Sequence, residues 1–191
     1  MQPESPHTRS EILQALASVE AEVAAFFGGL SDDDLLLRAG DAWNPAEHLA
    51  HLCTSVSAVA RGLAVPRWLL RLRFGRARAP SRSYAEMREA YRSRLAAGGG
   101  ATGAFVPPRE EGAAGGRRAA LLARWARVNA RLREALAGWS ECDLDRIVLP
   151  HPLLGKLTTR EMLLFTLYHD LHHVEGARGR LPRAGVGGGG A

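Results

Sequence analysis

The sequence predicts an all-α protein built as a four-helix bundle. Three observations carry that expectation: four long segments whose apolar residues recur at spacings of three and four, capping signals that open three of them, and one long connection between the second and third. Internal repeats are absent. Just under half of the 191 residues are apolar, enough for one domain, expected over residues 1–184, to bury a core.

Residues 1 to 7 read as a loose tail. Thr8 and Glu11 then have the spacing of a capping box, ahead of a stripe of Ile12, Leu16, Val19, Val23, Phe26 and Phe27 that Gly28-Gly29 stops. Ser31 to Asp34 reads as a solvated acidic loop. The second helix starts with Asn44 as cap, Pro45 at the first helical position and Glu47 in the capping-box place. Leu49, Leu52, Val56, Val59 and Leu63 form its greasy stripe. His48 and His51 lie in its first two turns, and the face of His51 continues through Ser55, Ala58 and Gly62, small residues that leave room for a cavity or a close helix.

From Arg61 to Arg94 ten arginines stand against two carboxylates, Glu86 and Glu89, interleaved with Trp68, Leu69, Leu70, Leu72 and Phe74. The reading favoured is a short amphipathic insertion that packs its Trp and Leu side chains over one end of the bundle while the arginines snorkel to water. A phosphate or membrane-surface patch, or a basic rim for an anionic substrate, is the functional alternative. Lys156 is the sole lysine, so a compositional bias toward arginine inflates the signal. Ser83 and Glu86 cap a short extra helix through Leu95, and the Gly-, Ala- and Pro-rich stretch from Gly98 to Gly116 is a loop.

A third long helix from Arg117 carries Leu121, Leu122, Trp125, Val128, Leu132, Leu136 and Trp139 and ends near Gly138. Its arginine face is more simply solvent-facing than nucleic-acid-binding. Asp143 to Lys156, with two prolines and Gly155, is expected to be an extended connection that delivers His151 near the last helix. Thr158 and Glu161 cap that helix. Its stripe of Met162, Phe165, Thr166 and His169 then runs into His172 or His173, so imidazoles stand where a core should be.

His169 and His173, four apart, lie one above the other and can aim at one divalent cation, whereas His172 is displaced to the side. The bland alternative is a run of histidines on a partly exposed last turn. Gly185 to Ala191 reads as a disordered low-complexity tail. Cys53 and Cys142 make no disulfide framework, and no secretory signal or bilayer-length apolar run is present, so a soluble chain in a reducing cytoplasm is expected.

The residues from Trp43 to Leu52, reading Trp-x-Pro-x-Glu-x-x-x-His-Leu, and the His-x-x-His-His of His169 to His173 resemble the DinB-like (YfiT-like) superfamily of metal-binding four-helix bundles. The run from His151 to Glu161 is similar to the loop before the last helix in one branch. The resemblance extends to Arg180 and implies an up-down-down-up topology, with His51, His169 and His173 as ligands of a divalent transition metal, zinc, nickel or iron. Gly176 and Ala177 stand where relatives often have a Gln, a departure that bears on substrate rather than fold.

Three neutral imidazoles leave a coordination position open, the pattern of a reactive site. The resemblance implies a transferase or isomerase that uses a low-molecular-weight thiol on a small-molecule substrate. A metal-dependent hydrolase and a non-catalytic, stress-related metal-binding module acting as a homodimer are the alternatives. Glu47, His48, His151 and His172 are candidate catalytic helpers by spacing, with His151 ranked first because a loop at the bundle's end can reach a cavity.

Overall fold

The computed structural model describes residues 6–109 and 116–182. It is mostly helical, and its order is α1 (Arg9–Gly28), α2 (Asp32–Leu36), α3 (Pro45–Ala64), α4 (Arg67–Phe74), α5 (Tyr84–Ala96), α6 (Arg117–Ala137), α7 (Glu141–Arg146), β1 (Val148–His151), β2 (Gly155–Thr158) and α8 (Thr159–Arg178). Three of the four long helices start where their caps place them, whereas α6 opens at Gly116 without a side-chain cap. Thr8, Asn44 and Thr158 each accept from the backbone three residues on, while Glu11, Glu47 and Glu161 reach back to the cap N–H groups.

Helix α1 packs on α6 and α8, and α3 packs on the same two partners. Ile12, Leu16, Leu52, Leu132 and Trp125 are among the side chains buried between them. The indole N–H groups within this core are satisfied: Trp125 donates to the Glu20 carbonyl and Trp139 to that of Leu63. Helix α5 lies across α8 through Tyr84, Met87 and Tyr91.

Several local expectations need correction. Ser31 caps a real helical turn, α2, because the carboxylates of Asp32 to Asp34 suit a helix N-terminus as well as they suit water. The connection before the last helix is α7 followed by an antiparallel hairpin in which Val148 pairs with Thr158 and His151 with Gly155. Gly155 has φ +74°, the left-handed conformation that closes the turn despite Pro150 and Pro152. Among the described residues four shorter α-helices accompany the long ones, where one was expected.

The chain before α1 is also not loose throughout: Pro6 is buried, and Arg160 donates to the His7 carbonyl while pairing with Asp145 and Glu141. The expected tail at 185–191 lies outside the described residues. Among the described residues, no single helix is long and apolar enough to cross a membrane.

Candidate metal centre

Helix α3 brings His48 and His51 against the middle of α8, where His169 and His173 point back at them. Nε2 of His169 lies 3.0 Å from Nε2 of His51 and 3.2 Å from Nε2 of His173. One ring nitrogen from each of these three buried side chains falls within 4.8 Å of the others, so the three could hold a metal ion. Two nitrogens bound to one zinc at about 2.0–2.1 Å would stand roughly 3.0–3.4 Å apart, so the spacing fits a shared cation.

The outer contacts suit the same role. His51 donates from Nδ1 to the Phe105 carbonyl at 2.7 Å, which leaves Nε2 as the bare lone pair. That carbonyl belongs to a 3-10 turn, Gly103–Phe105, inside the stretch that the sequence offers only as loop. His173 Nδ1 lies 2.9 Å from His48 Nδ1, so one of the two donates. Ligation through Nε2 would put the proton on His173 and make His48 the acceptor, with the His48 Nε2–H left unpartnered among the described residues.

Gly176 packs beside this pair, and a Cβ there would meet His48 Cε1 at 3.4 Å, an ordinary van der Waals contact. The departure at Gly176 thus lies next to His48. Trp43 covers the cluster, stacked 5.9 Å from the His173 ring and 5.0 Å from His51. Asp170 Oδ1 approaches His169 Nδ1 at 3.5 Å without making a hydrogen bond.

Burial sets the protonation states. Loss of water lowers His51 and His172, pushes His48 down to about 4, and holds His169 and His173 well below the ordinary imidazole value. All are therefore neutral near pH 7, the form that ligates metals. The same cause pushes the Asp170 carboxyl well above its usual range.

A cavity of about 810 Å³ opens beside the cluster, with His51, His169 and His173 in its wall. The small residues Ser55, Ala58 and Gly62 line it, as their run along α3 suggested, together with aromatic and aliphatic groups such as Phe165 and Leu149. Arg61 is the one permanently charged side chain among its lining residues. His151 also reaches the cavity, its ring 4.4 Å from that of Phe165. Its Nδ1 accepts from the N–H groups of Leu153 and Leu154, both at 3.1 Å, and burial pushes it down to about 4.

Two other helper candidates have different fates. Glu47 is consumed by the Asn44 N–H and Arg38, whereas His172 lines the cavity between the rings of Tyr91 and Tyr168. Cys53 is buried with its thiol pushed up to about 12 and makes no approach to the cluster among the described contacts.

A family model described as the DinB superfamily matches residues 15–176. No curated protein and no solved structure matches the chain.

Proposed function

Since the chain belongs to the DinB superfamily, we propose that it is a metal-dependent transferase or isomerase that activates a small thiol for transfer to, or isomerisation of, an electrophilic substrate. The observation that carries this reading is the convergence of three neutral histidines on one point in the wall of an apolar cavity. In this reading α1, α3, α6 and α8 form an up-down-down-up bundle, and His51, His169 and His173 are the ligands. A divalent transition metal held there would favour the thiolate form of a thiol placed at its open position, and thiolate is the nucleophile in thiol transfer.

The protein's own residues supply the rest. The Phe105 carbonyl and His48 fix the rings of His51 and His173, and Trp43 covers them on one side. Cys53 does not act as nucleophile, because its thiol is buried and strongly protonated, so the thiol comes from outside. Arg61 is placed to hold a carboxylate of that cosubstrate in an otherwise uncharged cavity. His151 serves as a hydrogen-bond donor through Nε2–H rather than as a base, since its Nδ1 lone pair is taken by two backbone amides. A developing negative charge on the electrophile is the natural recipient.

The test is a screen of metal-loaded protein with glutathione, bacillithiol and mycothiol against monochlorobimane. Turnover above the uncatalysed rate that disappears in His169→Ala supports the reading. If no thiol is accelerated and none perturbs the spectrum of a cobalt-substituted site, the activity reading fails and a non-catalytic metal-binding module takes its place.

A further inference from the structure

Helix α4 is inverted relative to an ordinary surface helix. Two of its three arginines turn to the protein: Arg67 donates to the Gly138 carbonyl, lies 5.0 Å from the Trp139 ring and pairs with Asp143, and Arg71 donates to Asp143 at 2.8 Å. Its apolar residues turn out, with Trp68 67% exposed, Leu72 77% and Leu69 40%, while Leu70 alone is buried. With Val106 these three make up the exposed large apolar side chains among the described residues. The favoured expectation that the Trp and Leu residues pack inward while arginines meet water is thereby overturned for this helix.

The chain leaving α4 adds charge to the same end of the molecule. A second cavity, about 740 Å³, is lined by Arg73, Arg76, Arg78, Arg82 and Lys156, with Glu161 its one carboxylate. Glu161 is already taken by Arg82 Nε at 2.7 Å and by the Thr158 N–H at 2.8 Å. Arg73, Arg76, Arg78 and Lys156 have no carboxylate partner among the described residues. Arg73 lies one turn beyond Leu69 on α4, so the apolar face runs directly into the basic cleft.

We propose that this combined surface docks on an anionic lipid bilayer, with Trp68, Leu69 and Leu72 entering the headgroup layer and Arg73, Arg76, Arg78 and Lys156 meeting lipid phosphates. Tryptophan and leucine beside arginine is the chemistry that such an interface selects. A second copy of the chain fits less well, because a two-fold contact would set the same arginines against one another. Three apolar side chains also fall short of the area that a stable dimer needs. Leu70 and Phe74, on the inner side of α4, line the larger apolar cavity, so docking would set that cavity's wall against the membrane.

The experiment is flotation of the full, metal-loaded chain with vesicles of phosphatidylcholine alone or of equal parts phosphatidylcholine and phosphatidylglycerol. Flotation with the mixed vesicles only, reversed by added salt, is expected. Trp68→Ser with Leu72→Ser should abolish it, and Arg76→Ser or Arg78→Ser should each weaken it about fivefold. All of these variants should keep normal metal content, because their side chains are exposed. His169→Ala should still float, which separates this proposal from the reading of the metal centre. Absence of flotation with mixed vesicles, equal flotation with both kinds, or an unchanged result in the Trp68/Leu72 variant overturns it. So does loss of a dimer in that variant with flotation unaffected, which would make the face a protein interface.

Discussion

Helices α8 and α4 both break the rule that apolar side chains go in and polar ones out, and they break it in opposite directions. Helix α8 buries His169, His173, Asp170, Arg160 and Glu161, whereas α4 exposes Trp68, Leu69 and Leu72 and turns Arg67 and Arg71 inward. A buried polar group is costly unless it is paired, so these residues of α8, apart from Asp170 with its unpartnered Oδ1, are tolerated through partners. Arg160 has Asp145 and Glu141, Glu161 has its cap and Arg82, and the histidines have one another. The outward face of α4 has no such internal answer. The difference separates a departure resolved inside the fold from one whose resolution lies outside it.

The strongest way to break the comparison is at α8. Purified protein is expected to carry close to one divalent metal per chain, with His51→Ala, His169→Ala and His173→Ala each removing most of it. His48→Ala, which removes only the partner of His173, should weaken the metal about ten- to a hundredfold. Elemental analysis checks both. Retention of metal in His51→Ala with loss in His48→Ala would reassign the ligand on α3. Because the ligands join α3 to α8, chelation should also lower the unfolding midpoint, by about 3–4 kcal/mol of stability at metal concentrations of roughly a hundred to a thousand times Kd.

The second test uses protons in the metal-free protein. In the unfolded chain each histidine titrates near 6.5, but burial pushes His48 and His151 down to about 4 and lowers His51, His169, His172 and His173 as well. Between those values the unfolded chain binds protons that the folded chain refuses, so stability is full above about pH 6.5 and falls as pH drops toward 4. His48 and His151 contribute up to roughly 3 kcal/mol each. Asp170 opposes them with a single proton, since its raised pKa makes the folded state keep a proton that the unfolded state has lost. Urea unfolding at several pH values should give a midpoint that falls with acid, and a flat profile would mean that the cluster is hydrated.

These tests bear on why α8 was readable and α4 was not. Imidazoles interrupting a 3.6-residue stripe are visible in one dimension, and so were the capping boxes at Thr8, Asn44 and Thr158 and the small-residue face of Ser55, Ala58 and Gly62. The Phe105 carbonyl could not be foreseen, because a backbone acceptor in a Gly-rich loop has no sequence signature. The pairing of His48 with His173 depends on how α3 crosses α8, which the sequence does not reveal. Helix α4 is eight residues of arginine and large apolar groups, so no face is distinctive. Its orientation is set by Asp143 and Trp139, residues far away in sequence. The hairpin was hidden for a related reason: Pro150 and Pro152 argue against a strand except where, as here, the sheet has only two strands.

The smallest expected effects sharpen the comparison within α4 itself. Leu70 is 3% exposed, and Leu70→Ala should cost about 2–3 kcal/mol, toward the low end for a buried leucine because it also borders an open cavity. Trp68→Ser, two residues earlier, should leave unfolding within about 0.5 kcal/mol of the parent, since two-thirds of the side chain already meets water at 67% exposure. A larger residue on the surface normally contributes more burial than a smaller one, so a greater loss for Leu70 than for Trp68 would follow only from the inverted orientation of the helix. Chemical denaturation of the two variants side by side decides it. A loss of 2 kcal/mol or more (~) in Trp68→Ser would place the indole against the fold and remove the outward face on which lipid docking depends.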